Sequence, residues 1–427
     1  MSRDAYDLVR HVVLDVIEQR RLEPERDLTE VRIETQRAVD DFQRRARLGD
    51  EISLADPVAM VERIMRSICD LGPLTELLGR TDVEEIFIEG PRVSYLDTAG
   101  KLRGLAVPTT ESENRHVVDR LLATSERHLN AQYPIVQARV LQGSARLTVA
   151  IPPISDRLSA TLRRYVVRHV SLADLVRRGS LSPEAAGFLW AAMQFRSRIV
   201  VSGEPGAGKT TMLAALLSAA PASQCVRCCE EIREVSVPLT HGGYYEVRPP
   251  GLDGGSEVSL RDLVKFTLAM RPDRIVVGEV RGSEAFELSR AMNAGCGFLC
   301  TVHANSAIDA LRALVNAALM AGENVGERAV RKVFSESLDL VVHLDRDDTA
   351  EQGAQPTARR QVMEIIAVTA TIGEDFTQEP IFVRRAVGLP LEWTGAIPSV
   401  LESRMDRALN GRYSIRNVME GLVEVAS

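Results

Sequence analysis

Residues 197–217 read SRIVVSGEPGAGKTTMLAALL. A short run of β-branched residues, a glycine-rich turn and a run of good helix formers follow one another without a break. That is the strand, loop and helix of a phosphate-binding loop. Gly203, Gly206, Ala207 and Gly208 supply a backbone that can wrap closely enough to aim N–H groups at phosphate oxygens. Lys209 is spaced to bridge β- and γ-phosphates, Thr210 to offer a hydroxyl to Mg²⁺, and Thr211 lies beside them in the first helical turn. The expected ligands are therefore ATP and Mg²⁺.

Working outward, the chain alternates apolar strand-like runs (SRIVVSG, CVRCCE, RIVVGEV, FLCTVH, LDLVVHL) with helical segments, the pattern of a mostly parallel sheet covered by helices. RIVVGE, residues 274–279, is an apolar strand that ends in Gly278 and Glu279, so the carboxylate emerges at the edge where the phosphate loop lies. Glu279 is placed to hold Mg²⁺ or to polarise water. CCEEIRE, residues 228–234, sets Glu230, Glu231 and Glu234 at the end of another strand. Beside a γ-phosphate these acids can orient water or metal, and the competing reading is a solvated acidic turn. His303 follows a strand in TVHANS, where an imidazole can sense a γ-phosphate or relay its loss. Arginines recur at positions 139, 146, 163, 164, 271, 274 and 281, each either a planar donor to phosphate or a structural group.

Upstream, residues 1–70 read as a helical bundle, with Leu8, Val12, Val13 and Val16 on one stripe of the first helix. From residue 71 the texture changes to short alternating runs (VEEIFIEG, RVSYLD, KLRGLAV) and one helix, an α+β domain extending to residue 161. IPPIS, residues 151–155, is the expected inter-domain hinge. Residues 162–345 form the motor domain, and 346–427 a C-terminal strand and appendage. The polar run DRDDTAEQGAQPTARRQ, residues 345–361, reads as an exposed loop.

The 427 residues carry 52 Lys and Arg against 59 Asp and Glu, a net charge of −7, so no global field draws the protein to nucleic acid. The N-terminus mixes both charge signs and lacks a secretory apolar core, and no run of 18 apolar residues follows, which points to a cytosolic chain. Six irregularly placed cysteines, including the CVRCC run, read as small apolar residues on buried strands.

The succession GEPGAGKT, CCEEIREV, RPDRIVVGEVRGSEAFELSRAMNAG and TVHANS resembles the secretion ATPases of the type II/type IV superfamily, and within it the CpaF-like branch that powers Flp/Tad pilus assembly. These pieces match that family's Walker A, Asp box, Walker B and His box. LGPLTELL, VEEIFIEGPRVSYLD, PIVQARV, ARLTVAIPP and TLRRY match its N-terminal domain and linker. The resemblance implies an α/β protein: a RecA-like P-loop motor domain preceded by an α+β domain and a helical bundle. It implies a homo-hexameric Mg-ATPase, cytoplasmic and peripheral at the inner face of the membrane, turning an inner-membrane platform protein. Membrane contact is through partners, and no direct nucleic-acid contact is expected. It gives Lys209 and Thr210 to phosphate and Mg²⁺, Glu279 to Walker B, Glu234 to the general base, His303 to the His box, and Arg146 and Arg163 to nucleotide. Two departures stand out: Glu231 where the Asp box has an aspartate, and Cys296 where the His box has its first histidine. They motivate one alternative to the pilus motor, an ATP-binding ring scaffold with little hydrolysis; the family's range supplies another, a conjugation or DNA-transfer motor.

Overall fold

The computed structural model describes residues 3–49, 53–98, 100–125, 127–165, 170–235, 237, 239–248, 256–346, 360–372 and 375–421. Two compact units divide the chain, Met1–Val166 and Val167–Ser427.

The first unit opens with three helices, α1 (Arg3–Arg20), α2 (Leu28–Arg47) and α3 (Pro57–Cys69). The start of α3 is written in its sequence: the Asp56 side chain accepts the Ala59 N–H and Pro57 occupies the first turn. The buried stripe of α1 is Tyr6, Val9, Val13 and Ile17, whereas Leu8 and Val12 are exposed. The expected stripe is thus rotated by part of a turn. Tyr6 decides this rotation, because its hydroxyl reaches Glu113 Oε1 at 2.6 Å in a buried hydrogen bond, a partner that apolar periodicity does not register.

After α4 (Leu74–Gly79) come β1 (Val83–Glu89), β2 (Arg92–Asp97), β3 (Leu102–Gly104), α5 (Glu111–Leu122), β4 (Ile135–Val140), β5 (Ala145–Ala150) and β6 (Ser159–Arg164). The strands make one sheet in the order β3-β2-β1-β6-β5-β4. Its apolar face, with Ile86, Ile88, Leu147 and Leu162, shares a core with Val117, Val118 and Leu121 of α5. The segment 151–155 joins β5 to β6, and β6 pairs with both β5 and β1. It is therefore a connection inside one sheet and not the expected hinge, and the boundary read at 161/162 falls within β6. Proline punctuation marks a turn equally well between strands and between domains.

The second unit contains α6 (Leu172–Arg177), α7 (Pro183–Gln194), β7 (Arg198–Gly203), α8 (Lys209–Ser218), β8 (Val226–Glu230), β9 (Gly242–Glu246), α9 (Leu260–Leu268), β10 (Arg274–Val277), α10 (Glu284–Asn293) and β11 (Gly297–Val302). It continues with α11 (Ala307–Leu319), α12 (Glu327–Ser337), β12 (Leu340–Arg346), β13 (Arg360–Ile372), β14 (Asp375–Val383), β15 (Glu392–Trp393), α13 (Ser399–Ala408) and α14 (Ile415–Met419). The nine strands run β15-β14-β13-β12-β7-β11-β10-β8-β9. Strands β12, β7, β11, β10, β8 and β9 are parallel, and β13 to β15 extend the sheet antiparallel. Burial on both faces, by two separate cores, explains why the central strands read as unbroken apolar runs. Cys228, Cys229 and Cys300 lie in those cores.

The C-terminal part expected as a separate appendage belongs to this unit: β13 pairs with β12 from Leu340↔Ala367 to Arg346↔Arg360. Leu401 and Met405 of α13 and Val418 of α14 lie in one core with Phe188 of α7. The polar run expected as a loop at 345–361 keeps only its ends in view, at the tips of β12 and β13; residues 347–359 lie outside the described residues.

Candidate active site

The phosphate loop leaves the C-terminal end of β7 and enters α8, whose N-cap, Gly208, has φ +96°, a left-handed conformation that a side chain resists. Thr210 and Thr211 follow in the first turn of α8. Lys209 is buried, and its ammonium donates to the carbonyls of Gly203 at 2.9 Å and Glu204 at 3.0 Å. Its third neighbour is His303 Nδ1, at 3.1 Å.

His303 arrives just after β11, the strand next to β7, and Glu279 just after β10, one strand further. The C-terminal ends of parallel strands converge, so residues distant in sequence meet at the loop. His303 Nε2 lies 2.6 Å from Glu279 Oε1. Glu279 Oε2 accepts from Arg281 at 2.7 Å, and Arg281 also approaches Glu231 Oε2 at 3.5 Å. Burial, then the charge of Lys209, holds His303 below the usual imidazole range, against the opposing pull of Glu279. In a neutral ring Nδ1 can accept from the lysine, which leaves the proton on Nε2, close to a Glu279 Oε1 that is buried without a hydrogen bond of its own.

The three acids of CCEEIRE have different surroundings. Glu234 Oε2 lies 3.5 Å from Thr210 Oγ1, at the start of α8. Glu231 is half-exposed beside Arg281. Glu230 is buried and turned onto its own backbone, its Oε1 accepting the N–H groups of Glu234 at 3.1 Å and Val235 at 3.2 Å. Burial pushes its carboxyl up to about 8, against the downward pull of those N–H groups. Glu230 thus holds the turn that presents Glu234. Gly278 is part of the same fit, since a Cβ there would stand 2.7 Å from Glu230 Cγ.

This donor set suits Mg²⁺. Thr210 and the carboxylates of Glu234 and Glu279 are hard oxygen ligands, and among the described residues no three acidic or imidazole side chains gather into a metal cage. Mg²⁺ characteristically takes its remaining ligands from substrate phosphates and water. A cleft of about 610 Å³ opens beside the loop, lined by Glu204, Pro205, His303, Asn305, Asp309 and Arg312 among others.

Several residues singled out in the sequence stand elsewhere. Cys296 is buried at the N-terminal end of β11, with Sγ against the carbonyls of Pro272 and Gly297. At ~3.3 Å per strand residue it is roughly 20 Å from His303, at the opposite end of the strand from the loop. Arg274 is fully buried at the N-terminal end of β10 and donates to the carbonyls of Phe195 and Ser197, a structural place. Arg164 likewise donates to the carbonyl of Arg80. Arg146 and Arg163 belong to the first unit, where they are direct cross-strand partners, with Arg139 opposite Arg146 and Glu85 opposite Arg163. The sequence reading passed over Arg346 and Arg360, which lie against the phosphate-loop glycines; the only available signal was two arginines at the ends of a polar run.

A phosphate loop at one parallel strand, with a histidine and carboxylates brought to it by the strands beyond, defines a P-loop ATPase with a RecA-like sheet. Residues 35–379 match the family described as Type II/IV secretion system protein, and the chain belongs to that family. It is similar to a Mycobacterium tuberculosis protein that carries a conjugal-transfer name, 30% identical over 309 residues, covering 70% of this chain and 86% of that one. It is also similar to the conjugal transfer protein TrbB of Rhizobium radiobacter, 28% identical over 291 residues, 66% of this chain and 86% of that one. Among solved structures, the pilus retraction motor PilT with bound ADP matches with a TM-score of 0.49 at 18% identity, over 81% of this chain and 89% of that one. The chain is an ATP-hydrolysing enzyme, and family membership implies ATP and Mg²⁺ as ligands. No described helix is long and apolar enough to cross a membrane.

Proposed function

We propose that this chain is the hexameric ATP-driven motor of a macromolecular transfer machine of the conjugation or type IV secretion kind. The observation that carries the reading is the convergence of Lys209, His303 and Glu279 at the ends of adjacent strands. Pilus assembly stood first in the sequence reading, with DNA transfer among its alternatives; the conjugal-transfer names of the relatives support the reverse order. Flp/Tad pilus assembly remains the second reading, on the order of the four motifs.

In this account the loop N–H groups and Lys209 bind the β- and γ-phosphates, Thr210 and Glu279 hold Mg²⁺, and Glu234 orients the attacking water. The metal supplies charge neutralisation at the phosphates. Arg146 and Arg163 are donors to the nucleotide from the first unit, and movement of that unit with the ATP cycle delivers the work to a membrane partner from the cytoplasmic side.

The test is phosphate release by the purified chain, together with its mass with and without a slowly hydrolysed ATP analogue. An ATP-dependent ring that releases no phosphate would support the scaffold alternative instead. In the source cell, Lys209→Ala should abolish DNA transfer to recipients while surface pili persist; the opposite pattern would favour pilus assembly.

A further inference from the structure

The flank of the phosphate loop opposite Glu279 and His303 is built by two strands that the catalytic motifs do not include. Strand β12 runs parallel to β7 with Leu344 opposite Gly203, the residue that opens the loop. Two residues beyond that pairing, Arg346 stands level with the loop itself. Its Nη1 lies 2.8 Å from the point where a Cβ on Gly206 would be, so the guanidinium occupies side-chain space that the glycine leaves open. Arg360 is its direct cross-strand partner on β13, and packs Cδ 3.6 Å and Cβ 3.7 Å from the corresponding point on Gly208. Two arginines on paired residues, against two of the loop's glycines, place positive charge beside a turn already rich in N–H donors. A polyanion seated between the two guanidinium groups and the loop would be held by charge-assisted contacts from both sides.

The order of the strands gives the arrangement a direction. Strands β11, β10 and β8 bring His303, Glu279 and Glu234 from one side of β7, whereas β12 and β13 bring the arginines from the other. A triphosphate whose γ-phosphate faces the carboxylates extends its inner phosphates towards the arginine flank.

We propose that Arg346 and Arg360 form a second cationic contact for the nucleotide, to the α- and β-phosphates, so that the diphosphate is held independently of the γ-phosphate. The inference rests on the ATPase reading above and adds two binding residues to it. Its consequence is that ADP stays bound after hydrolysis through contacts that do not involve His303 or Glu279.

The test measures binding of a fluorescent ADP, and its displacement by inorganic pyrophosphate, to the full chain and to Arg346→Ala, Arg360→Ala and Arg346→Lys. Unliganded melting temperatures are recorded for each. Each alanine variant should weaken ADP by ~10-fold or more, the scale of a lost charge-assisted hydrogen bond, and weaken pyrophosphate by a similar factor. Arg346→Lys keeps charge without the planar fork, so it should keep the unliganded melting temperature while recovering ADP binding only in part. If both alanine variants bind ADP within twofold of wild type, the proposal is wrong. It is also wrong if ADP weakens while pyrophosphate does not, because the contacts are then to the nucleoside. Failure of the wild-type chain to bind the fluorescent ADP would instead overturn the ATPase reading on which the proposal stands.

Discussion

His303 Nδ1 stands 3.1 Å from the ammonium of Lys209, and the opposite nitrogen of the same ring stands 2.6 Å from Glu279. One imidazole therefore sits between the lysine of the loop and the acid that follows the neighbouring strand. His303→Ala should lower turnover by ~10-fold or more with little change in nucleotide affinity, the scale of a positioned proton-transfer or orienting group. His303→Gln, whose amide can both accept and donate, should retain more activity than alanine. Separate measurement of kcat and of equilibrium binding decides the point, and equal losses in both would assign His303 to binding alone.

Lys209→Ala should abolish phosphate release while leaving the fold intact. The ammonium donates to carbonyls of the loop and neighbours His303, so its removal takes away polar contacts and not apolar packing. Circular dichroism and phosphate release are the paired readouts. Turnover at the wild-type rate would show that the phosphate loop is not the catalytic one.

Glu279→Gln and Glu234→Gln should each keep ATP binding and lose ~10²-fold or more in hydrolysis. They differ in surroundings: Glu279 is clasped by Arg281 and His303, whereas Glu234 faces the Thr210 hydroxyl. Single-turnover hydrolysis with ATP in place before Mg²⁺ is added separates binding from chemistry. Normal hydrolysis by Glu234→Gln would move the base to Glu231, since Glu230 is occupied with its own backbone.

The parallel core was legible because strands buried on both faces carry a continuous apolar signal, and RIVV and FLC carry it in four and three letters. The phosphate loop was legible because its glycines have a fixed spacing. Strand β9, GGYYE, was not read, because an edge strand with two glycines and half-buried side chains has neither alternation nor an apolar run. Glu230, Glu231 and Glu234 could be grouped by sequence, but not sorted: which acid turns inward depends on Gly278, a residue on a different strand. Arg346 and Arg360 were invisible for the same reason, since their register across β12 and β13 is a property of the paired strands.

Glu230 gives the site a pH dependence with a definite sign. In the unfolded chain its carboxyl loses its proton near 4.5, and in the folded chain only near 8. Between those values the folded state binds more protons, so this residue's contribution to stability is present at low pH and is lost as pH rises through that window. The slope is on the order of 1 kcal/mol per pH unit at most. Glu230→Gln keeps an oxygen to accept the two N–H groups and removes the titration, so its urea midpoint should overtake that of wild type between pH 5 and pH 8. Gly278→Ala places a methyl against Glu230 Cγ and should slow hydrolysis through the displaced turn, without itself touching nucleotide. If wild type and Glu230→Gln lose stability in parallel across this range, the raised pKa is wrong.

The remaining prediction concerns Arg146 and Arg163, neighbours on β5 and β6, with Arg139 completing a row of three arginines and Glu85 at its end, its carboxylate 3.5 Å from Arg163 Nε. Like charges on directly opposed residues of antiparallel strands oppose pairing. Arg146→Ala should therefore leave the thermal stability of the chain unchanged or slightly higher, while weakening ATP binding and turnover. Arg163→Lys should also lower activity although charge is kept, because a flexible ammonium does not reproduce the planar, bidentate donor. Labels on the two units report whether ATP changes the distance between them, and the double alanine variant should abolish any such change together with hydrolysis. If both alanine variants keep wild-type turnover and lose stability, the row serves the sheet through Glu85 and its own packing, and the nucleotide draws its cations from the second unit alone.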